Sequence, residues 1–111
     1  MATQFTWADP TTSVDGSPLV PGEVTGYTIG VRSTTAAGSA AGTYSALTSI
    51  IDPAATSEAI SALSTVLKPD SYAAAIRSDG LVVSAWSTET MFAIAAPPLP
   101  VPNPPSNFSA V

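Results

Sequence analysis

Eight acids and three bases are the only charged side chains in this chain, which has no histidine and no cysteine. Carboxylates are therefore the groups with which it would have to do acid–base chemistry, and that chemistry needs a paired acid and base. The acids are scattered. Asp9, Asp15, Asp52, Asp70 and Asp79 fall in stretches that read as loops, and no spacing makes a dyad of any two. Asp9, Asp15 and Glu23 flank one loop and offer oxygen ligands of the kind Ca²⁺ takes. They lack the Asp-x-Asp-x-Asp-Gly pattern of a calcium loop, so solvated loop acids are the plainer reading. Without histidine and cysteine there is no imidazole catalysis, thiolate nucleophile, disulfide or zinc site of the usual kind. No nucleophile–base pair or phosphate-cradling loop is present. The expectation is a non-enzymatic protein with no cofactor and no metal.

The aromatic residues are the other chemistry on offer. Trp7, Tyr27, Tyr72 and Trp86 are of the type that stacks on sugars, but Trp7, Tyr27 and Tyr72 suit a core better. Trp86, stacked on Arg32 or Arg77 as a cation–π pair, and Tyr44 are the candidate surface-ligand residues. A host-surface glycan is the ligand they would take.

The net charge of −5 leaves no basic patch to neutralise phosphates, so neither nucleic acid nor an anionic membrane is an expected partner. With 45% apolar and 10% charged residues the chain resembles an all-β or extracellular-type module more than a helical bundle. No apolar stretch approaches the roughly 20 residues that span a bilayer. Met1-Ala2-Thr3-Gln4-Phe5 lacks the basic and apolar regions of a signal peptide. Release by lysis as part of a particle reconciles an extracellular composition with that beginning.

The strongest strand signal covers residues 24–32, with Tyr27, Ile29 and Val31 on one face and Thr28, Gly30 and Arg32 on the other. Residues 5–7 read as a short strand stopped at Asp9-Pro10, and 11–22 as a turn-rich loop. Residues 43–51 read as a strand with Tyr44, Ala46 and Ile50 inward. Residues 72–78 put Tyr72, Ala74 and Ile76 on one face, and Asp79-Gly80 is a turn signal. Residues 83–86 and 88–94 make the last extended pair, with Phe92 and Ile94 opposite Met91 and Ala93. Residues 56–67 are ambiguous: Ile60, Leu63 and Leu67 fit helical spacing, while Ser61, Leu63, Thr65 and Leu67 fit period two. Six or seven short strands predict an antiparallel β-sandwich.

Residues 97–105 contain Pro97, Pro98, Pro100, Pro102, Pro104 and Pro105. Proline fixes φ and removes a donor, so this stretch reads as an extended spacer. Beyond it, residues 107–111 alternate polar and apolar, with Phe108 and Ala110 on one side. The chain thus divides into a sandwich at 1–96, a spacer at 97–105 and a short terminal strand at 106–111.

The order of landmarks resembles a fibronectin type III domain. Trp7 followed by Asp9-Pro10 matches the second strand and its loop. Gly26-Tyr27 with Arg32 matches the third, and Leu67-Lys68-Pro69-Asp70-Ser71-Tyr72 matches the tyrosine corner before the sixth. Ser84-Ala85-Trp86-Ser87 matches the approach to the seventh. Residues 52–67 fit the fifth strand poorly. The family's first strand, Pro-x-x-Pro-x-x-(Leu or Phe)-x-Val, has no match before Phe5, but residues 102–111 resemble it. The resemblance implies a fibronectin III/Ig-like β-sandwich of about seven strands with its first strand displaced to the C-terminus.

Three readings of that strand stay open. It inserts into a neighbouring subunit, with Pro104, Pro105, Phe108, Ala110 and Val111 as partner-binding residues. It folds back on its own domain, which a nine-residue spacer of about 28 Å just permits. Or it is an unpartnered Pro-rich tail. Fibronectin-like domains resemble accessory modules of tailed bacteriophages. The first reading thus implies a structural protein of a virion, a capsid decoration or head/tail accessory protein, with copies of itself and other virion proteins as partners. The alternative is a carbohydrate- or cell-surface-binding module of an extracellular bacterial protein.

Overall fold

The computed structural model describes residues 3–63, 67–96 and 99–110. They form two antiparallel sheets. The strands are β1 (Gln4–Thr6), β2 (Val24–Ser33), β3 (Ala46–Ile50), β4 (Ser57–Ala59), β5 (Asp70–Gly80) and β6 (Thr90–Ile94). The larger sheet has the order β3-β2-β5-β6, and the smaller is β1-β4. The all-β expectation holds. Six strands are present among the described residues, where about seven were expected.

The larger sheet is organised by β2, whose alternation the sequence displays, and β5, an apolar run buried on both faces. They pair from Val24 opposite Gly80 to Ser33 opposite Tyr72. Their inward faces bring Ile29, Val31, Tyr72 and Ala74 into one buried cluster with Phe92 of β6 and Ile60. The smaller sheet covers this cluster with Phe5 and Trp7. Phe5 meets Phe92 edge-on at 5.2 Å, Trp7 lies 5.6 Å from Tyr27, and Tyr72 stacks on Phe92 at 5.4 Å. Each such aromatic pair adds about 0.5–1.5 kcal/mol beyond its buried area.

Two hydroxyls brace the ends. Tyr72 donates to the backbone carbonyl of Lys68, the corner bond expected from the Leu67–Tyr72 motif. Tyr27 donates to Asp9 Oδ1 at 2.7 Å and to the Pro53 carbonyl at 3.2 Å, tying together two loops. Burial, with Asp9 alongside, pushes the Tyr27 phenol up to about 12.

The ambiguous stretch resolves into β4 followed by one 3₁₀ turn, Ile60–Ala62, whose Ile60 enters the core. The remainder of that reading, at residues 64–66, lies outside the described residues. Two strand expectations need correction. Residues 83–86 form no strand, because serine hydroxyls interrupt the ladder. The Ser78 amide donates to Ser84 Oγ at 2.9 Å and the Ile76 amide to Ser87 Oγ at 3.0 Å. Tyr44 does not point inward with Ala46. The strand begins only at Ala46, and Tyr44 lies over the opposite face of the sheet, against Gly30.

That contact makes Gly30 a test of the packing. A Cβ there would sit 2.6 Å from Tyr44 Cγ and 3.0 Å from its Cβ, too close for the ring alone to relieve. Gly30→Ala is expected to lower stability by about 1–3 kcal/mol in urea unfolding. An unchanged midpoint would show that Tyr44 is not held over Gly30.

Candidate functional site

Two features of this fold are candidates for function: a chain of side chains over the outer face of the larger sheet, and the uncovered edge of the smaller one.

The outer-face chain begins where Arg32 grips Glu89, with Nε–Oε2 at 2.8 Å and Nη2–Oε1 at 2.7 Å. The pair is largely enclosed, with side-chain exposures of 14% and 13%. Tyr44 donates to Glu89 Oε2 at 2.9 Å, and Arg32 Nη1 donates to Ser39 Oγ at 2.9 Å. The Tyr44 ring meets Trp86 edge-on at 4.7 Å. The Arg77 guanidinium lies 4.8 Å over the Trp86 ring and reaches Asp79 at 3.2 Å. Asp79 in turn accepts from Thr28. Trp86 and Tyr44 are thus brought together, with Arg77 rather than Arg32 as the cation. Both are half-buried: Arg77 covers the Trp86 ring, Glu89 takes the Tyr44 hydroxyl, and the two rings meet each other.

The loop acids do not converge. Asp9 is engaged by Tyr27, Asp15 accepts from Ser17, and Glu23 accepts from the Val20 amide. Among the described residues no group of three acids could hold a metal ion.

The edge is different. In the smaller sheet, β1 pairs only with β4. The Trp7 amide donates to the Thr56 carbonyl at 3.0 Å, and the Ile60 amide to the Thr3 carbonyl at 3.0 Å. Because backbone groups alternate sides in an antiparallel pair, those of Gln4 and Thr6 point away from β4. No strand meets them among the described residues. Beneath this edge, between β1 and β6, run two adjoining cavities of about 230 and 200 Å³. They share Phe5, Thr6 and Thr90; Ile29, Ala74 and Ile76 also line the first, and Met91 the second. Most of the side chains lining the groove are apolar, a lining that suits inserted apolar side chains. The indole Nε1 of Trp7, at one end of this groove, is buried and has no acceptor among the described residues.

No family model matches the chain, and no curated protein or solved structure is significantly similar to it.

The C-terminal residues do not reach the groove of their own chain. All of residues 99–110 are exposed and unpaired, Phe108 at 99%. Pro104, Pro105 and Ala110 lie in the same free segment, and Val111 lies outside the described residues. Asn107 takes a left-handed φ of 59°, which asparagine tolerates, so the chain bends just before Phe108. The radius of gyration is 20.8 Å and the longest dimension 86 Å. A compact domain of this length would have a radius near 13 Å, so the tail stands clear of the body.

Sequence reasoning missed Glu89, whose partner Arg32 is 57 residues away. The signal for the open edge was the resemblance of residues 102–111 to a first strand. The Arg32 guanidinium holds the Glu89 carboxyl below its ordinary value of 4.5, helped by Tyr44. A carboxyl depressed in the folded state stabilises the fold above its unfolded pKa and loses that contribution as pH falls. Unfolding midpoints are therefore expected to drop between about pH 5 and 3, and Glu89→Gln to reduce that slope. An unaltered slope in the variant would remove Glu89 from the explanation.

Proposed function

We propose that this chain is a non-enzymatic assembly protein whose copies join by strand donation: residues 108–110 of one subunit complete the open edge of β1 in the next. The observation that carries this reading is the pairing of one deficit with one surplus. Among the described residues the β1 edge leaves Gln4 and Thr6 without a strand partner above an apolar groove, while Phe108 is 99% exposed on a tail that joins neither sheet. A donated strand of three residues matches the three of β1.

Several further features support it. Adding a strand supplies backbone hydrogen bonds, each worth about 0.5–1.5 kcal/mol net, and removes an exposed edge. Residues 90–111 carry no charged side chain, so subunits of net charge −5 meet through a neutral segment. The prolines lower the entropy lost on docking. We read the sheet orders β1-β4 and β3-β2-β5-β6 as compatible with a fibronectin III-like sandwich whose first strand is displaced, the strand that residues 102–111 resemble. The setting we propose is a virus particle, with the protein as a bacteriophage capsid decoration or head/tail accessory component. The glycan-binding alternative has less support, because Trp86 and Tyr44 are already spent on Arg77, Glu89 and each other.

Burying the Phe108 ring is worth about 1.5–3 kcal/mol, so Phe108→Ala should weaken self-association about ten- to hundredfold in sedimentation equilibrium. Association unaffected by the substitution would refute strand donation between subunits. A monomer that loses thermal stability on the same substitution would mean that the tail docks on its own body.

A further inference from the structure

The body carries a second apolar surface that the groove does not explain. Of the eight exposed large hydrophobic side chains among the body's described residues, six are Val14, Val20, Ile51, Leu81, Val82 and Val83. They lie in the loops at 9–23, 51–56 and 81–89. All three loops join strands at one end of the fold. Val24 pairs with Gly80 there, Tyr27 pairs with Ile50, and the Leu81 amide donates to the Glu23 carbonyl at 3.2 Å. Leu81 and Val82, consecutive at a loop tip, are 82% and 80% exposed. With Val83, 52% exposed, they make a run of three consecutive exposed apolar residues, a pattern unfavourable on a solvent face unless it serves a contact.

The direction of the groove connects this end to the tail. Trp7 shares a cavity with Ser87 and Thr88, while Gln4 shares one with Met91 and Phe92. A strand lying antiparallel to β1 therefore enters beside Trp7, at the loop end, and runs out beside Gln4. The tail of the same chain leaves from the other end, after Ile94 opposite Asp70. An incoming tail must cross the loop end immediately before its Phe108 reaches the groove. The residues doing so are 99–105, which include Leu99 and Val101, 90% and 91% exposed, and no charge. At about 3.1 Å per residue in polyproline geometry they span roughly 22 Å, most of the 29 Å breadth of the molecule.

We infer that the apolar loop end is the docking face for the spacer of a second copy of this chain, so that subunits join head to tail with Leu99 and Val101 of the donor against Leu81 and Val82 of the acceptor. This rests on the strand-donation reading and adds to it a polarity and a second contact. Open head-to-tail contacts of this kind generate rings or filaments, not closed symmetric dimers.

Since the chain has no cysteine, one pair of thiols can be introduced without background. Full-length Val82→Cys and Val101→Cys chains are mixed and oxidised, and non-reducing electrophoresis reads the cross-link. The expected result is a disulfide-linked pair of one chain of each kind, at least tenfold more abundant than from Val82→Cys mixed with Ser71→Cys, a site at the opposite end. It should vanish when Phe108→Asp is added to the Val101→Cys chain. Association that depends on Phe108 but gives no selective cross-link overturns the docking face and leaves strand donation standing. Loss of all Phe108 dependence, with or without a cross-link, overturns both.

Discussion

The smaller sheet of this protein is too small to be finished. Its strands are three residues long and number two among the described residues, and an isolated pair of that size is marginal in water. Yet it is what roofs the core, through Phe5 against Phe92 and Trp7 against Tyr27. Whatever lies along the free side of β1 thus decides more than edge chemistry. It decides how well the core beneath is closed, and whether the buried Trp7 Nε1 finds an acceptor; an orphaned buried donor costs about 1–3 kcal/mol. Under the proposed strand donation, assembly and folding stability are coupled at this place.

The two faces of the larger sheet divide the remaining tasks. Inward, Ile29, Val31, Ala74 and Phe92 pack a small apolar core. Outward, the run from Thr28 and Asp79 through Arg77, Trp86, Tyr44 and Glu89 to Arg32 holds the irregular 84–89 segment against the sheet. That segment forms one wall of the groove on its inner side, through Ser87 and Thr88. The outer ladder therefore serves the groove: it fixes a wall that has no regular backbone pairing of its own. The unpaired and exposed apolar parts of the described residues are left at the margins, in the open edge, the apolar loop end and the tail.

How far the sequence foretold this varies with the physics of each part. Strand β2 was legible because Tyr27, Ile29 and Val31 alternate with Thr28, Gly30 and Arg32, and β5 because Tyr72 and Ile76 bracket a run of small apolar residues that is buried on both faces. The corner bond of Tyr72 was legible from its local motif. The 83–86 stretch was misread because serine hydroxyls replace ladder partners, which no apolar pattern records. Tyr44 was misread because period two was extended past the true start of β3. The Arg32–Glu89 pair was invisible because long-range ion pairs leave no local trace. The groove was half legible: the strand-like tail after the prolines named one part, but only the backbone direction at Gln4 and Thr6 shows which edge is open among the described residues.

Hydrogen exchange at those two amides tests the central claim most directly. In the full-length protein at concentrations where it associates, Gln4 and Thr6 amides should be protected, and dilution to monomer should release them while Phe5 and Trp7, bonded to β4, exchange as before. Fast exchange at Gln4 and Thr6 at every concentration would contradict strand donation to β1.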